Sequence, residues 1–335
     1  MQKPIELNKK SENKFAIENK SNPANKIKIL STTEIEQLLT SKQFIGEGTT
    51  SKVYKVSKNK CLKIYKIGIF RSQNTIDNSK IVSIWNDDNE EDNNDDKKYE
   101  ENELNFDLVQ KILREYEILN GIVHPNIIKV YGFYNGDANH EPAILLEFCH
   151  YNLEKVIRFL NDIDLIKVIY QICLAMDHIH MNKIIHRDLK MTNILINKKK
   201  EVKICDFGIS KVMDLTYQTS MTHDIGTILF MAPELFQHDS TYDEKVDVFA
   251  FGVVMFFILT KGELPKYTVP GNYEQLHIPK KVNKLSREII KRCLSTLPQK
   301  RPSFKKIIKT ITNNHFLLID GIDNEIEKFR QTLNY

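Results

Sequence analysis

The sequence predicts an α+β chain of two unlike lobes, with strands first and helices later. Three observations carry this. Short alternating runs cluster between residues 44 and 65 around a glycine turn. Apolar residues later recur at helical spacing, at Leu165, Val168, Ile169, Ile172 and Ala175. The run Val248–Leu259, bounded by charges, is too short for a membrane span of about 20 residues and reads as a helix inside a large core.

Taken in order, residues 1–35 are polar, lack periodicity and are expected to form a disordered leader. Met1–Lys20 has no apolar h-region, so no signal peptide is expected. Phe44-Ile45 leads into Gly46-Glu47-Gly48. Lys52–Val56 alternates and Cys61–Tyr65 follows, giving three strands. Residues 71–105 are irregular, and their acidic, Asn-rich centre (86–98) repels itself, so a solvated insertion is expected there. Such an insertion is tolerable because loop-closure entropy grows only logarithmically with length. Leu108, Ile112, Glu115 and Leu119 lie along one helical stripe, and Ile127–Tyr134 and Ala143–Phe148 are two more strand candidates. Val202–Cys205 is a short β run. Arg287–Cys293 and Phe304–Ile311 add helices, and the tail 315–335 holds an amphipathic stretch, Ile322–Leu333.

Of the 335 residues, 41% are hydrophobic and 27% charged, values that exclude a collagen, a disulfide scaffold and a wholly disordered chain. The net charge is +4, from 48 basic and 44 acidic residues, which is no electrostatic footprint for nucleic acid. Cys61, Cys149, Cys173, Cys205 and Cys293 are odd in number and form no C-x-x-C, so reduced thiols in the cytoplasm are expected.

Several residues carry chemistry. Gly46-Glu47-Gly48-Thr49-Thr50-Ser51-Lys52-Val53 can bring backbone N–H groups close to phosphate oxygens. A dinucleotide fingerprint needs a helix straight after the glycines, and a β run follows instead; the G-x-x-x-x-G-K pattern is absent. Lys63 stands on an otherwise apolar strand. It is either an edge lysine reaching water or a buried cation that needs an anionic partner, for which Glu115 is the candidate. The segment Ile185–Ile196 places Asp188, Lys190 and Asn193 in one loop. A carboxylate there can orient a hydroxyl and take its proton, a lysine can neutralise a phosphoryl in transfer, and an amide oxygen can hold a metal. Asp206-Phe207-Gly208 follows, its aspartate suited to Mg²⁺, and Met231-Ala232-Pro233-Glu234 closes a Ser/Thr-rich stretch.

This ordered set resembles the eukaryotic protein kinases, in particular the serine/threonine kinases of the tyrosine-kinase-like group. The resemblance spans residues 38–314. It implies a bilobal kinase fold with a small β-rich N-lobe (38–148), which carries one helix and the insertion, and a large helical C-lobe (149–314). It implies an ATP- and Mg²⁺-dependent enzyme that phosphorylates Ser/Thr hydroxyls of protein substrates. Within it, Gly46, Glu47, Gly48, Thr49, Thr50, Ser51, Lys52 and Val53 would cover the nucleotide. Lys63 would hold phosphates against Glu115, Asp188 would be the base, Lys190 would sit near the terminal phosphate, and Asn193 and Asp206 would hold metal. Val53, Cys61 and Leu195 match the positions around adenine, Leu146 the gatekeeper, and Glu147 and Cys149 the hinge. Ser51 and Cys61 depart from the usual glycine and alanine; both are small enough to fit. Lys190 and Thr227 favour Ser/Thr over Tyr specificity, and Arg301 matches the arginine paired with Glu234.

The resemblance also implies a switch. Arg187 would receive a phosphate placed by an upstream kinase or by self-phosphorylation on Thr216, Thr219, Ser220 or Thr222. A scaffold that has lost catalysis would lack Lys63, Asp188 or Asp206, and all three are present. A small-molecule phosphotransferase would lack the Glu234–Arg301 framework. His178-Ile-His180, on a helix, reads as packing and capping rather than metal binding, and Cys205 as a small core residue.

Overall fold

A computed structural model describes residues 28–48, 50–66, 112–137, 139–208, 211–212, 228–236, 242–266, 273 and 276–313. The insertion 71–105, the four candidate hydroxyls between 216 and 222, and the tail 315–335 lie outside the described residues.

Helix α1 (Thr32–Thr40) comes first. The chain then builds β1 (Gln43–Glu47), β2 (Ser51–Lys55) and β3 (Lys60–Tyr65), helix α2 (112–121), β4 (Val130–Tyr134) and β5 (Ala143–Glu147). The five strands form one antiparallel sheet in the order β1-β2-β3-β5-β4. The larger part follows: β6 (Tyr151–Asn152), a helical turn α3 (Leu153–Val156), the long α4 (Asp162–Met181), β7 (Ile184–Ile185), β8 (Ile194–Ile196), β9 (Val202–Ile204) and β10 (Lys211–Val212), then α5 (Lys245–Leu259), α6 (Lys284–Cys293) and α7 (Phe304–Asn313). The arrangement is α+β, a sheet lobe followed by a helical lobe, as expected. Among the described residues no helix is long and apolar enough to cross a membrane.

Helix α5 is buried all round, which is the signature of a helix at the centre of a core. It comes close to α6 at Gly252, where a Cβ would lie 2.9 Å from the Cβ of Cys293 and from the Leu294 side chain. Helix α4 begins with a reciprocal cap. Asn161 accepts the Asp164 N–H and Asp164 accepts the Asn161 N–H, satisfying donors the helix would leave bare. All five cysteines are unpaired.

Two sequence expectations are corrected. The leader does not extend to residue 35. Ser31 and Glu34 form a capping box that starts α1, and Leu30 and Ile35 are buried against Val56, Leu62, Tyr134 and Leu145 in a second, smaller core. Residues 28–30 run beside β4, where Leu30 N–H donates to the Phe133 carbonyl and Phe133 N–H to the Lys28 carbonyl. Residues 1–27 lie outside the described residues. The candidate strand Ile127–Tyr134 begins only at Val130, because the preceding residues turn toward the other lobe. Ile128 N–H donates to the Ile204 carbonyl, Ile204 N–H to the Asn126 carbonyl, and the Asn126 side-chain amide to Gln171 Oε1 at 2.7 Å. Apolar content alone cannot tell such a buried junction from a strand.

Candidate active site

The site is assembled where the two lobes meet. Alternation along β3 puts Lys63 on one face, where it pairs with Val53 of β2 and Ile144 of β5 in the sheet. Its ammonium is buried, with a relative exposure of 9% for the residue, and lies 2.7 Å from Glu115 Oε1 on α2 and 2.9 Å from Asp206 Oδ1. An edge lysine reaching water is therefore not what the fold builds. Burial alone would drive the lysine toward neutrality, but the charges of Asp206 and Glu115 win and hold its pKa well above the ordinary value. The same lysine holds the Asp206 carboxyl below the usual carboxylate range, against the effect of its burial.

A second cluster comes from the loop between β7 and β8. Asp188 Oδ2 accepts from the Asn193 side-chain amide at 2.8 Å and lies 2.8 Å from Lys190 Nζ. The Asn193 amide also donates to the Asp188 backbone carbonyl at 2.9 Å, so one asparagine braces the aspartate from two sides. Burial raises the Asp188 pKa, Lys190 opposes this, and the nearby charge of Asp206 adds to the rise; the net shift is upward. A carboxylate held in this way is a better proton acceptor.

The backbone beneath this loop is anchored from the core. Asp247, in the first turn of α5, accepts the backbone N–H groups of His186 and Arg187 at 2.8 Å each and lies 2.8 Å from His180 Nε2. Burial works against its charge, but these bonds outweigh it and the net pKa is lowered. His180 thus has a buried structural partner, in line with packing rather than metal binding. His186 stacks edge-on against the buried Phe207 with 4.8 Å between ring centroids. Arg187 and Asp206 both sit at φ of +68°, a left-handed conformation that non-glycine residues rarely hold. Each costs of order 1–3 kcal/mol, so the surrounding bonds must impose it, and both residues flank the cleft.

The glycine turn joins β1 to β2. Gly48 N–H donates to the Ser51 carbonyl at 2.8 Å and Ser51 is buried. Lys66 closes the turn from outside, donating to the Gly48 carbonyl at 2.9 Å and pairing with Glu47. Lys52 faces Glu47 across the turn as its strand partner, and Thr49 lies outside the described residues. Behind the turn, buried Cys61 and Leu146 and half-buried Val53, Leu195 and Cys149 belong to one apolar cluster. The Cys61 thiol donates to the Glu147 backbone carbonyl at 3.4 Å, and burial pushes its pKa up to about 12. Cys205 is likewise held protonated, chiefly by burial, and donates to the Asn193 carbonyl at 3.4 Å. The Glu147 carboxylate turns away to Lys203 at 3.0 Å.

The donors available for a cation are the Asp206 carboxylate, the Asn193 amide oxygen and the Asp188 carboxylate. All are hard oxygen ligands, as Mg²⁺ requires, and the Asn193 nitrogen is already committed to Asp188. The buried Lys63 ammonium, the glycine turn on the neighbouring strands and the apolar side chains behind it are the residue types that the phosphates and base of ATP require. Among the described residues, Lys63, Glu115 and Asp206 form one contact cluster and Asp188, Lys190 and Asn193 a second, and the Asp206 charge reaches Asp188. One neighbour was missed: Tyr65 Oη donates to Glu115 Oε2 at 2.6 Å. Its position two residues after Lys63, on the same face of β3, was the available signal.

A family model described as "Protein kinase domain" matches residues 39–311. The chain is 31% identical over 222 residues to serine/threonine-protein kinase STY17 of Arabidopsis thaliana, covering 62% of this chain and 38% of that protein. It is 34% identical over 213 residues to mitogen-activated protein kinase kinase kinase 12 of Rattus norvegicus, covering 58% of this chain and 23% of that protein. It is 36% identical over 210 residues to mitogen-activated protein kinase kinase kinase dlk-1 of Caenorhabditis elegans, covering 58% and 22%. The chain thus spans well under half the length of each of these relatives. The chain belongs to the protein kinase family.

Proposed function

We propose that this chain transfers the terminal phosphate of ATP, bound with Mg²⁺, to serine or threonine hydroxyls of protein substrates. The observation that carries the proposal is Lys63, buried and held between Glu115 and Asp206 at 2.7 and 2.9 Å. A buried cation bridging the lobes costs desolvation, and an anionic ligand in the cleft is the use that justifies it. On this reading Lys63 binds nucleotide phosphates and Glu115 fixes its direction. The Asp188 carboxylate accepts the proton of the attacking hydroxyl, while Lys190 stands beside it as a fixed positive charge. Asn193 and Asp206 would hold Mg²⁺, which when bound neutralises phosphate charge. Val53, Cys61, Leu146 and Leu195 exclude water around the base, and the backbone at Glu147 and Cys149 orients it. Serine/threonine specificity is supported by Lys190 and by the similarity to serine/threonine-protein kinase STY17. The unpaired cysteines support an intracellular site of action.

The test is incorporation of labelled phosphate from ATP and Mg²⁺ into a generic basic protein substrate, followed by phosphoamino-acid analysis. Phosphoserine or phosphothreonine is expected. Lys63→Met should lower the rate by about 100-fold or more, the scale for losing one preorganised charge contact in such a site. Equal rates in wild type and Lys63→Met would remove the lysine from the chemistry.

Control by activation-loop phosphate belongs to the same proposal. Arg114, on α2 next to Glu115, has a buried Nη2 with no hydrogen-bond partner among the described residues. Burial, and then the neighbouring Arg187 charge, lower its pKa. Two close guanidiniums are relieved by a doubly charged anion between them. Replacing Thr216, Thr219, Ser220 and Thr222 together by alanine should lower turnover about tenfold, the scale of one or two charge-assisted bonds. Unchanged turnover of the fourfold alanine variant would end the idea.

A further inference from the structure

We propose that Tyr65 is a positioning residue for phosphoryl transfer: its hydroxyl holds Glu115 in register while Lys63 turns toward phosphate. The inference rests on the kinase reading of the cleft. Tyr65 and Lys63 are two residues apart on β3 and share one face of the strand. Tyr65 is 4% exposed, and its backbone is fixed on both sides, paired with Ser51 of β2 and donating its N–H to the Pro142 carbonyl at 3.0 Å. Its hydroxyl reaches Glu115 Oε2 at 2.6 Å, and its ring lies under the Lys63 ammonium at 5.1 Å.

An ammonium has three donors. Those of Lys63 face Glu115 Oε1 at 2.7 Å, Glu115 Oε2 at 3.0 Å and Asp206 Oδ1 at 2.9 Å. To bind a phosphate oxygen, Lys63 must release one of these. The longest is Glu115 Oε2, and that oxygen already has a second donor in Tyr65. Lys63 can therefore turn to phosphate without leaving a bare carboxylate oxygen in a buried place, and the carboxylate keeps its orientation. A charge-assisted phenol contact of this length is among the stronger hydrogen bonds a protein makes. The ring face below the ammonium adds a weaker attraction that survives loss of the hydroxyl. Burial, and then the Glu115 charge, hold the phenol protonated far above its ordinary pKa, so it remains a donor throughout the working pH range.

The test compares wild type, Tyr65→Phe, Glu115→Gln and the double variant. Tyr65→Phe keeps the ring and removes only the hydroxyl. It should lower kcat for labelled phosphate transfer about tenfold, the scale of a hydrogen bond to a charged group, with little change in KM for ATP. In the Glu115→Gln background the same substitution should cost less than about twofold, because the group it acts through has already lost its charge. Hydrogen exchange over residues 112–121 should speed up in Tyr65→Phe and be insensitive to the change in the Glu115→Gln background. Wild-type kcat and exchange in Tyr65→Phe would overturn the proposal, and so would equal losses in both backgrounds, which would mean simple packing. Should wild type transfer no phosphate, the kinase reading falls, and the exchange comparison alone decides whether Tyr65 holds Glu115.

Discussion

Asp188→Asn should lower phosphoryl transfer by about 10²–10⁴-fold, the range for removing a positioned general base, with nucleotide affinity nearly unchanged. The substitution conserves shape but not basicity. The carboxylate accepts bonds from Asn193 and Lys190 at 2.8 Å, and its raised pKa comes from burial and the nearby Asp206 charge, offset in part by Lys190. An amide in the same place still offers one oxygen to Asn193 or Lys190, so the loop stays folded, but it cannot take the hydroxyl proton. Because Lys63 and Glu115 are untouched, binding of a nucleotide analogue measured without Mg²⁺ should remain within about twofold of wild type, although Asp188 shares Asn193 with the candidate metal site. Single-turnover transfer of labelled phosphate, run beside an analogue titration, separates the two quantities. A rate near wild type would strip Asp188 of its role, and a joint loss of rate and binding would make it a structural residue.

How far the site could be read in advance depended on distance along the chain. Asp188, Lys190 and Asn193 fall within six positions, and a short loop forces them together whatever the rest of the chain does. Lys63 and Glu115 are 52 positions apart. Their pairing could be argued only from the cost of burying a lone lysine and from the family resemblance. Tyr65 escaped because its place two residues after Lys63 shows a shared face of β3 but not that its hydroxyl meets a carboxylate 50 residues away. Helix α1 escaped for a different reason. Its polar neighbours hid a cap that was visible in Ser31 and Glu34, just ahead of Ile35 and Leu38. The junction at Asn126 was mistaken for the start of a strand because its apolar neighbours are buried by the other lobe, a contact that strand periodicity does not encode. The helices of the larger lobe were legible because α4 follows a 3.6-residue stripe and α5 is apolar throughout.

Arg301→Leu is expected to destabilise the fold by about 3–5 kcal/mol, the cost of breaking a buried ion pair from one side. The Arg301 side chain has no exposed surface, and its guanidinium forks onto Glu234 with bonds of 2.6 and 2.8 Å. It also donates to the Lys245 carbonyl at 3.0 Å and the Ser295 carbonyl at 2.9 Å, and it lies over the Phe249 ring at 4.9 Å. One side chain thus ties the Pro233–Phe236 turn, the first turn of α5 and the segment after α6 into a single unit. Leucine fills part of the volume but takes from the Glu234 carboxylate both bonds of the guanidinium, and from the Lys245 and Ser295 carbonyls one donor each. Arg301→Lys should recover only part of the loss, since an ammonium cannot reproduce the two-pronged geometry. Adding Glu234→Gln to Arg301→Leu should restore some stability, because it removes the stranded charge rather than a contact. Thermal melts should place Arg301→Leu on the order of 10 °C below wild type, with the double variant between them. If the double variant melts no higher than the single one, the stranded carboxylate is not what costs the stability, and the lost carbonyl and ring contacts of Arg301 are.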